Sequence, residues 1–590
     1  MQAIKKPSSG CPVINSRMLA VMIIGLSFFS VEAYAAKPVF LPVFEIHAAH
    51  VPGEVLVKFR SVPGQVNGQP SDVTVARAAH VAIGVRTIDT LHAVNIHRVR
   101  GTRKQSTEML MQAYAKRADV EYVEPNYTYT TQLVPNDPRF SEMWGLNNIG
   151  QTGGTADADA DGPEAWDKKT GSPAVTVAII DTGVAYDHAD LAANMWINPG
   201  EIANNGIDDD RNGYVDDVRG WNFVSGNNNP MDDQGHGTHT GGTVGAVGNN
   251  ATGVTGVAWQ TKIMPLKFLS ASGAGNALDA ARAILYASAM GAKISNNSWG
   301  GGGYSQAIED AIATANQRGM LFVVAAGNAN ANNDISTSYP CNSQQPNVLC
   351  VAATDHNDNK ASFSSYGAVN VDLSAPGVSI LSTVPTGTCS LCVSSGYRFL
   401  SGTSVATPHV AGAAALVLAQ FPRLAAIDIK NLLMRSVDKV PSLAGRTVTG
   451  GRLNISRAVA ATPITVVARG TPVNGVYPLM AVRVDGEVVG TYNVNTTVFS
   501  GYRLAVNVAA VANHNIDVVF TNDGYAPPED RNLIIQSLRV GATTFLPGNV
   551  GVTYDRGAGA AAFDGVSVIA GQGGMWWSGA LRFTMPASVF

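Results

Sequence analysis

From Trp144 onwards the chain alternates short apolar segments with helical stretches and glycine-rich turns. The segments with strand character are Val175–Ile180, Lys262–Phe268, Lys293–Ser295, Leu321–Ala326 and Val348–Ala352. The helical stretches are Ala277–Ala289, Ser305–Arg318 and Thr407–Gln420. Strands that alternate with helices in this way predict an α/β domain built on a doubly wound parallel sheet. Such sheets bind ligands at the carboxyl ends of their strands, so functional residues are expected there.

A smaller unit precedes this domain, and a third region follows it. Strand-like sequence at Glu54–Arg60 and Val120–Asn126 encloses the helix-compatible stretch Ser106–Arg117, which predicts a small α+β unit. A polar linker, Thr128–Asp137, separates this unit from the larger domain. The sequence after Ile464 is rich in strands and turns and predicts a β-sandwich.

The first residues have the pattern of an export signal. Basic residues up to Arg17 precede the apolar run Met18–Val31, and Ala33-Tyr34-Ala35 matches a small-x-small cleavage site. A membrane anchor is the alternative, but the apolar run is short for one. We therefore predict that residues 1–36 are a signal peptide and that the protein is secreted.

Composition and charge exclude some classes of partner. The chain is 45% hydrophobic and 14% charged, as expected for a folded globular protein. Its net charge is −4 and it has no long basic tract, so we expect no nucleic-acid partner. We expect the protein to act as a monomer.

Four cysteines remain once the signal peptide is removed: Cys341, Cys350, Cys389 and Cys392. An even number of cysteines in an exported chain favours two disulfides. Three pairings are open, and we favour the short-range one, Cys341–Cys350 with Cys389–Cys392. The CxxC spacing of the second pair also occurs in metal half-sites and redox pairs, but no second CxxC accompanies it.

Three polar motifs interrupt the apolar segments of the large domain. Asp181-Thr-Gly follows the first predicted strand, His236 lies in Gly-His-Gly-Thr-His, and Ser404 lies in Gly402-Thr-Ser before an apolar helix. Backbone N–H groups at a helix N-terminus can stabilise negative charge on an oxygen near the serine. Alone, each motif has a structural alternative, because Asp and Ser are common N-caps and a single His is often structural. The order Asp, His, Ser is that of subtilisin.

These motifs resemble the signature motifs of the subtilisin-like serine proteases, and Val323–Asn328 resembles the strand that ends in their oxyanion-hole asparagine. The resemblance spans about residues 144–459. It implies a serine endopeptidase in which His236 is the general base, Asp181 orients it, Ser404 attacks the peptide bond and Asn328 binds the oxyanion. We assign the two other motif histidines, His239 and His409, to packing.

Two further segments resemble the substrate-binding parts of that family. Asn297–Gly302 is similar to the segment that pairs with an extended substrate, which implies that Ser298, Trp299 and Gly300 line the cleft. Ser336–Pro340 is similar to the floor of the specificity pocket and contains Ser338. Ala329, which follows Asn328, offers no carboxylate to a basic substrate side chain, so apolar or aromatic residues before the cut bond are favoured.

Calcium is expected to brace the peptidase domain at one or two sites. Oxygen-bearing residues alternate along one loop like the first nine positions of an EF-hand: Asp208, Asp210, Asn212, Tyr214 and Asp216. The twelfth position holds Arg219, so Asp217, Asp232 or Asp233 would have to complete the shell. A solvated acidic loop is the alternative. The family resemblance implies a second site at Asp190, Asn250, Thr252 and Val254.

The first unit, Val51–Tyr127, resembles the propeptide of these proteases. The resemblance implies that residues 37–133 are a propeptide, folded over about 51–128, which acts as an intramolecular inhibitor. Self-cleavage is then expected between Asn126 and Asn136, so that the peptidase domain comprises residues 134–461.

The C-terminal region, residues 462–590, resembles the calcium-dependent xylan-binding carbohydrate-binding modules over about 466–541. The resemblance implies a polysaccharide partner and a further calcium ion, and the matching oxygen-bearing residues are Asp523, Glu529, Asp530 and Asn532. The aromatic residues that could stack on a sugar ring are Tyr525, Trp576 and Trp577. A sandwich that only stabilises the enzyme is the alternative.

Overall fold

The computed structural model describes residues 50–60, 70–102, 104–128, 133–508 and 513–590. The predicted signal peptide lies outside the described residues. The chain forms two compact units, one ending at Tyr127 and the other beginning at Thr128, which are described separately. In the described part of the chain, no helix combines the length and the apolar character needed to cross a membrane.

The first unit is a four-stranded antiparallel sheet with two helices. Its strands are β1 (His50–Phe59), β2 (Arg86–Leu91), β3 (Ile96–Arg100) and β4 (Val120–Tyr127), in the spatial order β2-β3-β1-β4. Its helices are α1 (Pro70–Ile83) and α2 (Thr107–Ala115). Phe59, Leu110 and Tyr114 are buried in its core. This architecture is the α+β unit predicted from the sequence.

The second unit contains a nine-stranded sheet, which is parallel except at one edge pair. Eight strands of this sheet are β5 (Thr176–Asp181), β6 (Trp221–Asn222), β7 (Lys262–Lys267), β8 (Ile294–Asn297), β9 (Leu321–Ala325), β10 (Val348–Thr354), β11 (Leu373–Pro376) and the edge strand β14 (Asp438–Lys439). The ninth, β15 (Gly451–Arg452), lies between β11 and β14 and is antiparallel to β14. A separate hairpin is formed by β12 (Ile380–Thr383) and β13 (Tyr397–Leu400).

Helices cover both faces of this sheet. They are α3 (Gly162–Trp166), α4 (His236–Gly245), α5 (Ala277–Ala289), α6 (Gln306–Gln317), α7 (Thr403–Gln420), α8 (Ala426–Arg435) and α9 (Ile455–Val459). Successive side chains of β5 enter two different cores: Val177 and Ile179 pack on one side, and Ala178 and Ile180 on the other. A strand buried on both faces is typical of a doubly wound parallel sheet, and the predicted fold class is confirmed.

The helix that carries Ser404 begins earlier than the sequence indicated. It was predicted to start at Thr407, but α7 starts at Thr403 and contains Pro408. Proline has no N–H for the carbonyl one turn earlier, which is that of Ser404. The Ser298 hydroxyl donates to this carbonyl instead, at 2.6 Å, so the helix continues through the proline without a buried unpaired acceptor.

The region after α9 forms the predicted β-sandwich. One sheet contains β16 (Thr462–Thr471), β19 (Ser500–Val506), β21 (Gly524–Ala526), β22 (Glu529–Val540), β23 (Thr543–Phe545) and β26 (Gly574–Met575). The other contains β17 (Leu479–Val484), β18 (Glu487–Asn493), β20 (His514–Phe520), β24 (Thr553–Arg556), β25 (Val568–Ala570) and β27 (Gly579–Met585). Both sheets contribute to one apolar core that includes Val466, Phe520 and Phe583.

The sandwich is joined to the α/β domain along α8. The Tyr492 hydroxyl lies 3.0 Å from Asp428 Oδ1, and the Asn507 amide donates to the Ser436 hydroxyl at 2.8 Å. Arg435 is directed at the carbonyl of Ala505, a sandwich residue that packs within the main core of the α/β domain. The two parts of this unit therefore share buried polar and apolar contacts.

Both disulfides occur in the favoured pairing. Cys341 bonds to Cys350 at the start of β10, and Cys389 bonds to Cys392 in the loop between β12 and β13. The first disulfide is buried, whereas both cysteines of the second are partly exposed.

Candidate active site

Asp181 and His236 meet at the carboxyl edge of the sheet. Asp181 ends β5 and is fully buried, and His236 is the first residue of α4. His236 Nδ1 lies 2.8 Å from Asp181 Oδ1, which also accepts the Thr182 N–H at 2.8 Å. Gly237 permits this close approach, because a Cβ there would lie 2.0 Å from the Gly183 carbonyl oxygen.

The Asp181 carboxylate makes His236 a stronger base. Burial by itself lowers the pKa of His236, but the charge of Asp181 and the hydrogen bond to it raise the pKa above its ordinary value. An imidazole whose Nδ1–H is held by a carboxylate presents Nε2 as the free base. The pair can therefore accept a proton from a neighbouring hydroxyl and stabilise the resulting positive charge.

Ser404 lies in the first turn of α7 and lines the same cleft as His236. Gly402, two residues earlier, leaves room for the Ser404 side chain, because a Cβ at that glycine would lie 2.9 Å from Ser404 Oγ. The hydrogen bond from Ser298 to the Ser404 carbonyl fixes the backbone of the serine against the segment that follows β8. Of the three residues predicted as a triad, His236 and Ser404 thus line the cleft, and the buried Asp181 contacts His236.

Asn328 follows β9 and is held by Thr403. Asn328 Oδ1 accepts hydrogen bonds from the Thr403 N–H at 2.8 Å and from the Thr403 hydroxyl at 3.0 Å. Because its oxygen is bound in this way, the amide NH₂ group is directed away from Thr403. Its nitrogen, Nδ2, lies 3.5 Å from the position that a Cβ added to Gly402 would occupy. This orientation places a hydrogen-bond donor near Ser404, whose Oγ lies 2.9 Å from the same position.

A cleft of about 900 Å³ contains His236, Asn328 and Ser404. The predicted substrate-binding residues Ser298, Trp299 and Gly300 line it. Ser338 is not among the residues that line the cleft; the next two residues along the chain form that part of the wall. Apolar and glycine residues dominate the remaining lining, which includes Phe268, Leu269, Ala280, Gly301, Gly302, Gly303, Tyr304, Ile308, Tyr339 and Pro340.

The other motif histidines are buried and bound to carbonyl groups. His239 Nε2 lies 3.0 Å from the Ile380 oxygen, and burial lowers its pKa to about 3. His409 Nδ1 lies 3.0 Å from the Val405 oxygen, and burial lowers its pKa to about 4. Both are neutral at neutral pH, and neither lines the cleft.

The acidic loop before β6 gathers three carboxylates. Asp208 and Asp210 converge with Glu201, and their oxygens lie within 4.8 Å of one another. Glu201 Oε2 is buried and has no hydrogen-bond partner among the described residues. Converging carboxylates with an unpaired oxygen suit a hard divalent cation such as Ca²⁺. Asp232 and Asp233, considered above as completing ligands, have other partners: Asp232 accepts the Gly235 N–H before α4, and Asp233 pairs with Lys267 at the end of β7.

The remaining residues of this loop have separate partners. Asn212 donates from its amide to Asp210 at 3.1 Å and to Asp217 at 2.8 Å. Asn212 and Asp217 therefore lie beside the carboxylate cluster that contains Asp210. The Tyr214 ring packs edge-on against other aromatic rings. The Asp216 carboxylate accepts two backbone N–H groups from the start of the loop.

The residues predicted for the second calcium site are close together. Asp190 is fully buried and accepts hydrogen bonds from the Asn250 amide and the Val254 N–H, while the Thr252 N–H donates to Asn250 Oδ1. Asp137 joins them, because it accepts the Asn250 N–H at 3.3 Å. Burial raises the pKa of Asp137, and the nearby Asp190 charge raises it further. Two buried acids of like charge fit a bound cation.

In the β-sandwich, the predicted oxygen ligands lie around the β21–β22 hairpin. Asp523 precedes β21, and Glu529, Asp530 and Asn532 lie at the start of β22. Asn532 is 6% exposed, and its Oδ1 has no partner in the described part of the chain. Glu529 Oε2 accepts the backbone N–H of Asn474 at 2.6 Å. An unpaired buried amide oxygen beside carboxylates fits a calcium site.

Aromatic side chains project from the same part of the sandwich. Tyr525 is 71% exposed, and Trp576 and Trp577 are 45% and 50% exposed. Trp576 follows β26, which pairs with β22 next to Asn532. Exposed rings of this kind can stack on sugar rings.

Comparison with known proteins gives relatives over much of the chain. A thermophilic serine proteinase of Bacillus sp. (strain AK1) is 34% identical over 440 residues, which are 73% of this chain and 95% of the relative. Thermitase of Thermoactinomyces vulgaris is 38% identical over 326 residues, 55% of this chain and 99% of the relative. The model of the subtilase family matches residues 172–457. The chain belongs to the subtilase family.

Two more parts of this subtilase match family models. Residues 45–126 match the fervidolysin N-terminal prodomain, and residues 463–555 match the Ca-dependent xylan-binding carbohydrate-binding module. An extracellular protease of Xanthomonas campestris pv. campestris is 37% identical over 439 residues, 68% of this chain and 72% of the relative. The protein is thus a serine endopeptidase with an N-terminal prodomain and a carbohydrate-binding module, and the three resemblances noted in the sequence are confirmed.

Sequence reasoning missed three residues of the subtilase that the structure places at these sites. Glu201 and Asp137 lie outside the motifs they join, and no spacing rule connects them to their partners. Thr403 had a visible signal, because it immediately precedes Ser404. Its hydroxyl also accepts the Gly327 N–H at 3.1 Å, so it links the loops that carry Asn328 and the serine.

Proposed function

We propose that this subtilase is a secreted zymogen that hydrolyses peptide bonds through Asp181, His236 and Ser404. The observation that carries the proposal is the 2.8 Å contact between His236 and the buried Asp181, in a cleft that also contains Ser404 and Asn328. Secretion is supported by the predicted signal peptide and by the relative named an extracellular protease.

The chemistry begins with removal of the serine proton. A hydroxyl is a weak nucleophile until a base accepts its proton, and His236 Nε2 is the base available in the cleft. Asp181 holds the ring through Nδ1 and stabilises the imidazolium that forms. Ser404 Oγ then attacks the substrate carbonyl carbon, and the proton passes from His236 to the leaving amine. A water molecule then attacks the acyl-enzyme in the same way, with His236 again as the base, and Ser404 is released.

Negative charge on the substrate oxygen is stabilised by two donors. The Asn328 NH₂ group is one, because Thr403 engages its oxygen and the nitrogen makes no hydrogen bond to any residue that the structure describes. The Ser404 backbone N–H, at the N-terminus of α7, is the other. Removal of one such donor typically lowers turnover by about 10²–10³.

The shape of the cleft supports a preference for apolar or aromatic side chains before the cut bond. Phe268, Ile308 and the run Gly300–Gly303, which has no side chains to fill the space, line it, so bulky apolar groups can enter. Cleavage-site profiling of a random peptide library measures this preference. A preference for acidic residues would contradict it.

Calcium and a polysaccharide complete the proposal. Glu201, Asp208 and Asp210 would hold one ion, and Asp137 with Asp190 a second; both ions would brace loops of the peptidase domain and take no part in the chemistry. In the module, Asn532 and its carboxylate neighbours would hold a further ion that sugar hydroxyls contact. The prodomain would act as the intramolecular inhibitor before cleavage between Asn126 and Asn136.

The decisive experiment compares the secreted wild type with Ser404→Ala by intact mass and N-terminal sequencing. We expect the wild type to begin between Asn126 and Asn136 and the variant to keep its prodomain. Both samples are prepared with calcium and, separately, with EDTA. Identical processing of the two chains would mean that another protease cuts the linker, and it would remove the support for Ser404 as the nucleophile.

A further inference from the structure

The Cys389–Cys392 disulfide lies directly against the segment that leads into the catalytic-histidine helix α4. The Leu391 N–H, between the two cysteines, donates to the Gln234 carbonyl oxygen at 2.9 Å. The Cys389 sulfur lies 3.2 Å from the same oxygen. Leu391 also packs on Gly235, where an added Cβ would lie 2.7 Å from Leu391 Cβ. The disulfide loop thus covers the two residues that precede His236.

Those two residues set the position of His236. The His236 N–H donates to Gln234 Oε1 at 2.8 Å, and Gly235 is the N-cap residue of α4 with a left-handed φ of 109°. The N–H groups of Gln234 and Gly235 both donate to the buried Asp232. The turn is therefore held from inside by Asp232 and from outside by Leu391.

The disulfide restrains the outer part of this arrangement. Strands β12 and β13 pair regularly, but residues 384–396 lie beyond their ladder. A loop of this length has many conformations unless it is tied down. The bond from Cys389 to Cys392 closes a short ring around Leu391 and limits the backbone conformations open to it. Both cysteines are partly exposed, so a reagent in solution can reach them.

We propose that the Cys389–Cys392 disulfide is a positioning clamp for the catalytic histidine. It holds Leu391 on Gln234 and Gly235, and so keeps His236 oriented towards both Asp181 and Ser404. The proposal rests on the role of His236 as general base proposed above. Misplacement of a catalytic group by about 1 Å can cost about 10²-fold in rate, so partial loosening of the turn should lower turnover about tenfold.

Selective reduction of the mature enzyme tests the clamp. Dithiothreitol delivers two electrons and two protons to the disulfide, which gives two cysteine thiols and the cyclic disulfide of the reagent. Alkylation and mass spectrometry count the freed thiols, and the buried Cys341–Cys350 bond serves as the internal control. Activity is expressed per active site, by titration to completion with a serine-directed fluorophosphonate. We expect kcat to fall about tenfold, KM to change less, and kcat to return on reoxidation.

Matched variants separate positioning from stability. The double variant Cys389→Ser with Cys392→Ser, and Leu391→Ala alone, should each lower kcat per titrated site and shift the acidic limb of the pH profile of kcat/KM. Ser394→Ala, on the exposed part of the same loop, should stay within twofold of the wild type. A merely structural role would lower the number of titratable sites and leave kcat and the pH profile of the remaining sites unchanged.

The clamp is refuted if the Cys389 and Cys392 thiols are free and kcat per titrated site stays within twofold of the oxidised enzyme. It is also refuted if the variants reduce only the number of active sites. Failure of the proposed function gives a different result, because Ser404→Ala would then hydrolyse peptides as fast as the oxidised wild type.

Discussion

Tyr492→Phe removes a single hydroxyl from the joint between the peptidase domain and the β-sandwich. That hydroxyl lies 3.0 Å from Asp428 Oδ1 and 3.1 Å from the Arg503 carbonyl oxygen. Asp428 is only 4% exposed, so a lost donor is not simply replaced by bulk solvent. The variant therefore leaves a buried carboxyl group with fewer partners, while the ring and its packing remain.

The free energy of unfolding that Tyr492→Phe loses depends on the charge of Asp428. Burial raises the pKa of Asp428 from its ordinary 3.8 to about 6, even though Tyr492 and Arg435 act to lower it. Because the folded-state pKa lies above the unfolded-state value, stability falls as pH rises from about 4 to about 6. The full penalty, about 3 kcal/mol, is present above that range. Loss of a hydrogen bond to a charged group costs about 1.5–3 kcal/mol and to a neutral one about 1 kcal/mol. We expect Tyr492→Phe to lower the free energy of unfolding by about 2 kcal/mol at pH 8 and by about 1 kcal/mol at pH 5.

The assay is urea unfolding at both pH values, followed by tryptophan fluorescence. All eight tryptophans lie after residue 143, so the signal reports on the second unit alone. A Ser404→Ala background prevents self-digestion during the measurement. Tyr502→Phe is the control, because Tyr502 packs against Tyr492 but its hydroxyl makes no hydrogen bond within the described part of the chain. The reasoning is refuted if both variants lose equal stability, or if the loss at pH 5 is as large as that at pH 8.

Other expected outcomes concern the active site, the ions and the module. Asn328→Ala should lower kcat about 10²–10³-fold with little change in KM, measured on a chromogenic peptide; a loss confined to KM would contradict the oxyanion role. Because the base form of His236 is needed and its pKa is raised, kcat/KM should fall as pH decreases through a value above 6.5. Calcium at a hundredfold excess over Kd should stabilise the enzyme by about 2.7 kcal/mol, and Glu201→Gln should weaken that effect in calorimetry without altering kcat. Trp577→Ala should weaken retention on insoluble xylan and leave hydrolysis of soluble peptides unchanged.

The sheet and its helices could be predicted from the sequence because local pattern and burial agree there. Helix α5 occupies the predicted Ala277–Ala289, with Asn276 as its N-cap, and β7 ends one residue before the predicted boundary. The start of α7 was wrong because Pro408 usually marks the beginning of a helix. Here the side chain of Ser298, which follows β8 and is distant in sequence, binds the carbonyl that the proline leaves free, and no local pattern reveals such a contact.

The polar residues of the site also fall into two groups: those that a sequence motif indicates, and those that only folding brings to the site. Asp181, His236 and Ser404 stand in short motifs with glycine neighbours, so sequence indicates them individually and their order indicates them together. Glu201 and Asp137 become visible only when the chain folds, because their partners are brought to them by separate loops. The joint along α8 was missed for the same reason.

Only Ala460 and Ala461 separate the end of α9 from the start of β16, and Ala461 is buried. Proteases at high concentration digest one another, and the cuts concentrate in exposed, extended connections between domains. This junction offers little exposed, extended backbone for the cleft of a neighbouring enzyme molecule to bind and cut. The peptidase domain and its module are therefore expected to stay in one chain, at a ratio of one to one, as the preparation ages. A shorter active form without the module should not accumulate.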